Sequence, residues 1–227
     1  MIRRKIFVRG IVQGVGFRPF IYRLAGQFDI KGWVLNSSSG VTIDAEGEKS
    51  KVEKFIEQIE REKPVNARID EIKILTRKAI GYQHFTIRES TISSNGHALI
   101  SPDLATCPDC QQEIMNQGNR RYFYPFTNCT NCGPRYSIIM DMPYDRIRTT
   151  MKNFRMCPTC AAEYHNTSDR RFHAQPNACP ECGPILFLYT INRRLINTLS
   201  PIETTINLLK NGKIIAIKGL GGFHIAC

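Results

Sequence analysis

Long apolar runs are missing from this 227-residue chain, and with them any candidate membrane span. The opening MIRRKIFVRGIVQGVGF carries basic residues but no uninterrupted apolar core, because Arg9 and Gly10 follow four residues after Lys5. No secretory signal is read there, so the cytoplasm is the expected compartment and no membrane partner is expected. Acidic residues are also scarce, 20 against 31 Lys and Arg, which gives a formal charge of +11. That surplus invites a nucleic-acid reading, but its distribution argues against one. Basic and acidic side chains number 17 and 11 in residues 1–90, 9 and 8 in residues 91–190, and 5 and 1 in residues 191–227. The cysteine-rich middle is therefore the least basic part, opposite to what a finger reading a phosphate backbone requires. The same middle segment has few aliphatic runs and needs something other than a hydrophobic core to hold it.

Eight of its residues supply that something. Cys107, Cys110, Cys129, Cys132, Cys157, Cys160, Cys179 and Cys182 form four Cys-x-x-Cys pairs in two copies of one spacing, offset by fifty residues. In each copy eighteen residues separate the inner cysteines, close to zinc-ribbon spacing. The copies also share Pro108/Pro158, Glu113/Glu163, Arg120-Arg121/Arg170-Arg171, Tyr122/Phe172 and Gly133-Pro134/Gly183-Pro184, so an internal duplication is the simplest account. Two such turns close a four-sulfur tetrahedral shell with no position left for water, which makes two structural zinc ions the expectation. Their binding energy then becomes folding energy. A disulfide framework is the competing account and suits short secreted chains. One ion within each repeat is favoured by short loop closure, but a ligand set crossed between repeats uses the same residues, and the spacing does not separate the two. His165 and His173 have no partner in the first copy and read as surface or locally hydrogen-bonded residues.

The first ninety residues read as strand (Lys5–Val12), glycine loop (Gln13–Gly16), helix (Pro19–Phe28), strand (Gly32–Ser37), strand (Val41–Glu46), helix (Lys49–Arg61) and strands near Ile69–Thr76 and His84–Arg88. The order is βαββαβ with a short final strand. Val52, Phe55, Ile56 and Ile59 give the second helix an ordinary core face. In the loop, Gly14 and Gly16 let the backbone curl so that successive amide protons face an anion at the start of a helix. Arg18 adds a guanidinium suited to two-pronged phosphate contact.

The string VRGIVQGVGFRP from Val8 to Pro19, with GWVLN from Gly32 to Asn36, resembles the two signatures of acylphosphatases. These are small ferredoxin-like enzymes that hydrolyse carboxyl-phosphate anhydrides. The resemblance implies a phosphate site at Gln13, Gly14, Val15, Gly16, Phe17 and Arg18, with Arg18 binding phosphate and Asn36 positioning the attacking water as the catalytic pair. Asn36 suits that role chemically, since its carbonyl accepts from water and its amide donates without being a strong base.

The stretches ATCPDC, NRRYFYPFTNCTNCGPRYSI and DRRFHAQPNACPECGP then resemble the double finger region of the hydrogenase-maturation carbamoyltransferases, the HypF family. From Ile202 a helix (Ile202–Lys210), an Asn-Gly turn, an apolar strand (Lys213–Lys218) and GLGGFHIAC look like the opening of that family's YrdC-like nucleotide-binding domain. The expected fold is α+β: a ferredoxin-like acylphosphatase domain over residues 1–90, a duplicated four-cysteine zinc-finger domain over 91–190, and an incomplete α/β YrdC-like segment over 191–227. Cys227, outside the zinc spacing, reads as a core cysteine of that segment. The family resemblance implies carbamoyl phosphate as substrate, hydrolysed to carbamate and phosphate. It implies later ATP-dependent transfer of the carbamoyl group to the C-terminal cysteine of HypE, with ATP used only in the full-length family protein. A zinc-dependent interaction or scaffold module without turnover is the alternative.

Overall fold

The structure, a computed structural model, describes residues 1–91 and 98–227. The expected junction after residue 90 runs into residues 92–97, which lie outside the described residues. The chain forms two compact units, residues 1–182 and 183–227.

The first unit opens with a sheet of five strands in the order β4-β1-β3-β2-β5. These are β1 (Ile2–Ile11), β2 (Lys31–Ser37), β3 (Gly40–Gly47), β4 (Arg68–Arg77) and β5 (Phe85–Ile87), with helices α1 (Phe17–Gln27) and α2 (Lys49–Arg61). β1 pairs antiparallel with β3 and β4, β2 antiparallel with β3, and β5 adds a parallel edge to β2. This is the expected βαββαβ arrangement, and period explains it. Ile6, Val8 and Gly10 alternate inward along β1, while Val52, Phe55 and Ile59 line one face of α2. Ile6, Val8 and the α2 residues meet Ile21, Leu24, Val34 and Ile43 in one apolar core.

The cysteine-rich part follows in the same unit. Helices α3 (Pro108–Met115) and α4 (Pro158–His165) occupy equivalent places in the two repeats. Each is capped by a cysteine, Cys107 or Cys157, and begins with a proline, whose missing amide proton costs nothing at the first turn. The repeats are stitched crosswise. Arg121 of the first donates to Glu163 of the second at 2.9 and 2.6 Å, and to Asn177 Oδ1 and the Ala178 carbonyl at 3.0 Å each. Arg171 of the second donates to Glu113 and to the Asn128 carbonyl of the first. The flanking arginines also cross, Arg120 to Cys160 Sγ at 3.1 Å and Arg170 to Cys110 Sγ at 3.2 Å. Duplication of the Arg-Arg pair thus yields a two-fold exchange between the repeats.

The second unit contains α5 (Pro201–Lys210), capped by Ser200 Oγ, and a hairpin of β6 (Ile215–Lys218) and β7 (Phe223–Ala226). Ile214, Phe223 and Ile225 stay exposed there, and so does Cys227, which the sequence reading places in a core. β7 is absent from that reading, because the glycines before it read as a turn without a partner.

Candidate functional site

The segment between β1 and α1 turns on two glycines in the left-handed region, Gly14 (φ 73°) and Gly16 (φ 77°), where an L side chain is strained. Gly16 caps α1. A Cβ at either position would also press within 3.3 Å of Arg135 or Thr130. Val15 and Phe17 send their side chains into the core, so anything they offer a ligand comes from the backbone. Gln13 is committed elsewhere: its Nε2 donates to the Ser37 and Gly40 carbonyls at 2.7 and 2.8 Å, and its Oε1 accepts from the Tyr144 amide at 2.9 Å.

Arg18, in the first turn of α1, and Asn36, near the end of β2, line one pocket with the loop. Both are buried, at 8% and 1% exposure. The remaining wall comes from the cysteine-rich part: Thr130, Arg135, Tyr144 and the His173–Pro176 run. Arg135 fastens the two parts together, with Nε donating to the Gly14 carbonyl and both terminal nitrogens to carbonyls of the Cys129–Cys132 knuckle, including Cys132 at 2.7 Å and Cys129 at 3.1 Å. Tyr144 places its backbone carbonyl 3.3 Å from both Arg18 Nη2 and Asn36 Nδ2. Asp145 forms an ion pair with Arg18 at 2.8 Å. With Asn36 Nδ2 turned to that carbonyl, its Oδ1 is buried and lacks a hydrogen-bond partner among the described residues. Such an acceptor is costly to bury unless a donor reaches it.

His173 is half-buried in the same wall. Burial pushes its pKa down to about 4, with Arg18 adding to the effect, so it is neutral near pH 7. Its backbone bonds locally, the amide donating to the Tyr164 carbonyl and the carbonyl accepting from Gln175 Nε2, while its ring packs against Tyr164 and Phe172. His165 is exposed. Tyr144, Asp145, Arg135 and His173 were not legible as site residues. The Pro143–Arg146 stretch falls between the two repeats and has no partner in either, so no repetition marks it.

The eight cysteines form two clusters, each drawn from one repeat: Cys107, Cys110, Cys129, Cys132 and Cys157, Cys160, Cys179, Cys182. Neighbouring sulfurs lie 3.7 and 3.8 Å apart in the first cluster and 3.6 to 3.8 Å in the second. A tetrahedron with metal–sulfur arms of about 2.3 Å has an edge of about 3.75 Å, whereas a disulfide needs about 2.05 Å. The clusters therefore fit a tetrahedral four-thiolate ion, of the kind zinc or iron takes. Loop closure within each repeat prevails over crossing, and what crosses is the arginines.

Comparison with known proteins follows the same division. The acylphosphatase family model matches residues 4–87, and the HypF finger model matches residues 106–139 and 156–189. The carbamoyltransferase HypF2 of Cupriavidus necator is 50% identical over 228 residues, covering 100% of this chain and 28% of that protein. An acylphosphatase of Thermotoga petrophila is 39% identical over 85 residues, 37% of this chain and 93% of that protein. A crystal structure of full-length HypF in a phosphate- and nucleotide-bound form superposes with a TM-score of 0.91 at 47% identity, over 99% of this chain and 29% of that one. Among the described residues no helix is long and apolar enough to cross a membrane.

Proposed function

Because the chain belongs to the HypF family, as its acylphosphatase-containing amino-terminal part, we propose that it hydrolyses carbamoyl phosphate to carbamate and phosphate. It spans between a quarter and a third of the length of the HypF proteins it matches. The reading divides it into an acylphosphatase domain over 1–90, a zinc-finger domain over 91–190 and the start of a nucleotide-binding domain over 191–227. The observation that carries the proposal is the meeting of Arg18 and Asn36 at one buried pocket beside the left-handed loop, with Asn36 Oδ1 left as an orphan acceptor.

The mechanism needs little machinery. The loop amides from Gln13 to Phe17 and the Arg18 guanidinium hold the phosphoryl oxygens and neutralise charge that spreads over them. Asn36 Oδ1 accepts from a water and aims it in line at phosphorus, so that the bond from phosphorus to the acyl oxygen breaks as the new phosphorus–oxygen bond forms. Carbamate leaves as a stable carboxylate, so no strong base is required and positioning supplies most of the rate. Two zinc ions in the cysteine clusters play a structural part: they fix the knuckle on which Arg135 grips Gly14 and the wall that carries Tyr144. Later steps, adenylation with ATP and transfer to a HypE-type partner in the cytoplasm, are those of the full-length family protein.

The test is phosphate release from carbamoyl phosphate by the metal-loaded chain. Arg18→Ala and Asn36→Ala should each lower kcat/KM by about 100-fold or more, the scale set by losing one electrostatic or positioning group. Unchanged release in both variants would refute the assignment. Absence of release from folded wild-type chain would favour a zinc-dependent scaffold, a reading to which the Arg18–Asp145 ion pair lends some weight because it occupies the phosphate-binding arginine.

A further inference from the structure

The finger wall does more than cover the cradle, because it brings acceptors to it and fixes them from both sides. Tyr144 is held by its amide on Gln13 Oε1 at 2.9 Å, and its ring is buried, with the hydroxyl 3.4 Å from the Pro134 carbonyl. On the other side of Asp145, the Arg146 amide donates to Gln175 Oε1 at 2.7 Å, and its guanidinium donates to the Gln175, Asn177 and Phe154 carbonyls at 2.6 to 2.9 Å. Asp145 therefore sits between two anchored residues, and its carboxylate is delivered to Arg18 by the backbone rather than by chance rotamer choice. Three acceptors lie about Arg18 and Asn36: the Tyr144 carbonyl, the Asp145 carboxylate and Asn36 Oδ1. The two bonds that Tyr144 O accepts are long, 3.3 Å each, against a usual range of about 2.7 to 3.2 Å. The carboxylate has lone pairs beyond those facing Arg18.

A carboxylate next to a bound phosphoryl group is repulsive, so its presence calls for a compensating donor on the ligand. Acyl phosphates differ at one place. The carbamoyl group ends in an amino group with two N–H donors, whereas an acetyl group ends in a methyl with none. We propose that the Tyr144 carbonyl and Asp145 carboxylate, supplied by the segment between the two fingers, read the amino group of the substrate and make the cradle selective for carbamoyl over alkyl acyl phosphates. The inference rests on the hydrolase reading above and adds a specificity-determining residue to it. Asp145 steadies Arg18 through one oxygen and accepts from the amino group through its remaining lone pairs. A methyl in the same place offers no donor to the Tyr144 carbonyl, whose two bonds are long, or to the partly buried Asp145 carboxylate, and sites built to bond a polar group discriminate strongly against analogues lacking it.

The experiment compares kcat/KM for carbamoyl phosphate and acetyl phosphate in the wild-type chain, Asp145→Ala, Asp145→Asn and Arg18→Ala, with metal content and circular dichroism confirming the fold of each. The wild type should prefer carbamoyl phosphate by at least about tenfold. Asp145→Ala should lose about thirtyfold or more on carbamoyl phosphate and no more than about threefold on acetyl phosphate, collapsing the ratio, and Asp145→Asn, which keeps one acceptor oxygen, should fall between. Equal losses on both substrates would overturn the proposal and reduce Asp145 to a support for Arg18. An unchanged ratio in both Asp145 variants, or a wild type without preference, would also overturn it while leaving the hydrolase reading standing. Release that is insensitive to Arg18→Ala, by contrast, would sink the hydrolase reading itself.

Discussion

In residues 1–91 the buried side chains are mostly aliphatic and aromatic, Ile6, Ile21, Ile43, Phe55 and Ile59 among them, whereas in residues 98–182 the most deeply buried positions include Cys110, Cys129, Cys132, Cys160, Arg121 and Arg135. The first region is held by non-directional burial, and the second by directed bonds, guanidiniums on carbonyls and carboxylates, around two four-cysteine clusters that fit an ion. The difference matters for function because the cradle is shared between them. Its floor of loop, Arg18 and Asn36 belongs to the apolar sheet layer, and its wall of Tyr144 and Arg135, with Asp145 behind it on Arg18, belongs to the cysteine-rich layer. Removing the metal should therefore take away the wall and leave the floor.

That removal is the largest effect expected. Structural four-thiolate zinc contributes apparent binding energy on the order of 10 kcal/mol or more, comparable with the whole stability of a typical domain, about 5–15 kcal/mol. A strong chelator, or Cys129→Ser, should unfold residues 98–182, read as rapid amide exchange there. Trp33, the single tryptophan, lies in β2 with its indole N–H 2.9 Å from the Tyr82 hydroxyl, and its fluorescence and denaturation transition should survive. A related acylphosphatase that consists almost wholly of this domain supports that independence. If Trp33 unfolded at the same chelator concentration as the cysteine region, the two layers would be one cooperative unit and the comparison would fail.

The converse perturbation is smaller. Phe55 is fully buried in the sheet–helix core, and truncating such a residue costs about 3–5 kcal/mol through lost transfer energy and the cavity left behind. Phe55→Ala should lower the denaturant midpoint followed by Trp33 and leave two metal ions bound per chain. Loss of metal in that variant would show that the cysteine region depends on the sheet for its own fold.

The same contrast explains what the sequence discloses. The sheet layer was almost fully legible, with α2 read residue for residue, because its order follows from hydrophobic periodicity that local segments carry by themselves. Both cysteine clusters were legible too, since spacing encodes a ligand set, although their partition between repeats was not. The cradle wall was out of reach. Nothing in Tyr144-Asp145-Arg146 announces that its carbonyl and carboxylate meet Arg18 and Asn36 over a hundred residues away in sequence, for that contact depends on how one layer docks on the other. The crossed arginines were half visible: the repeated Arg-Arg was plain, but its destination in the opposite repeat is a property of the assembled pair.

Those arginines allow the finest test. Burial alone would raise the pKa of Glu163, but the Arg121 and Arg120 guanidiniums beside it outweigh that and bring it down to about 2 from 4.5. Glu113, facing Arg171 and Arg170, is lowered as well against the same opposing burial. A carboxyl whose folded pKa lies below its unfolded one contributes stability that is fully present above the unfolded value and is lost as pH falls through the folded one. For Glu163 that window runs from about 4.5 down to about 2. Glu163→Gln keeps the shape but removes the charge, and breaking charge-assisted bonds of this kind costs about 1–3 kcal/mol. The difference in unfolding free energy between wild type and variant should therefore stay constant from about pH 5 to about pH 8, where the wild-type carboxylate is ionised in both states. A difference that shrank within that range, in metal-loaded protein, would mean that the crossed pairs do not hold Glu163 ionised and that the ions alone join the two repeats.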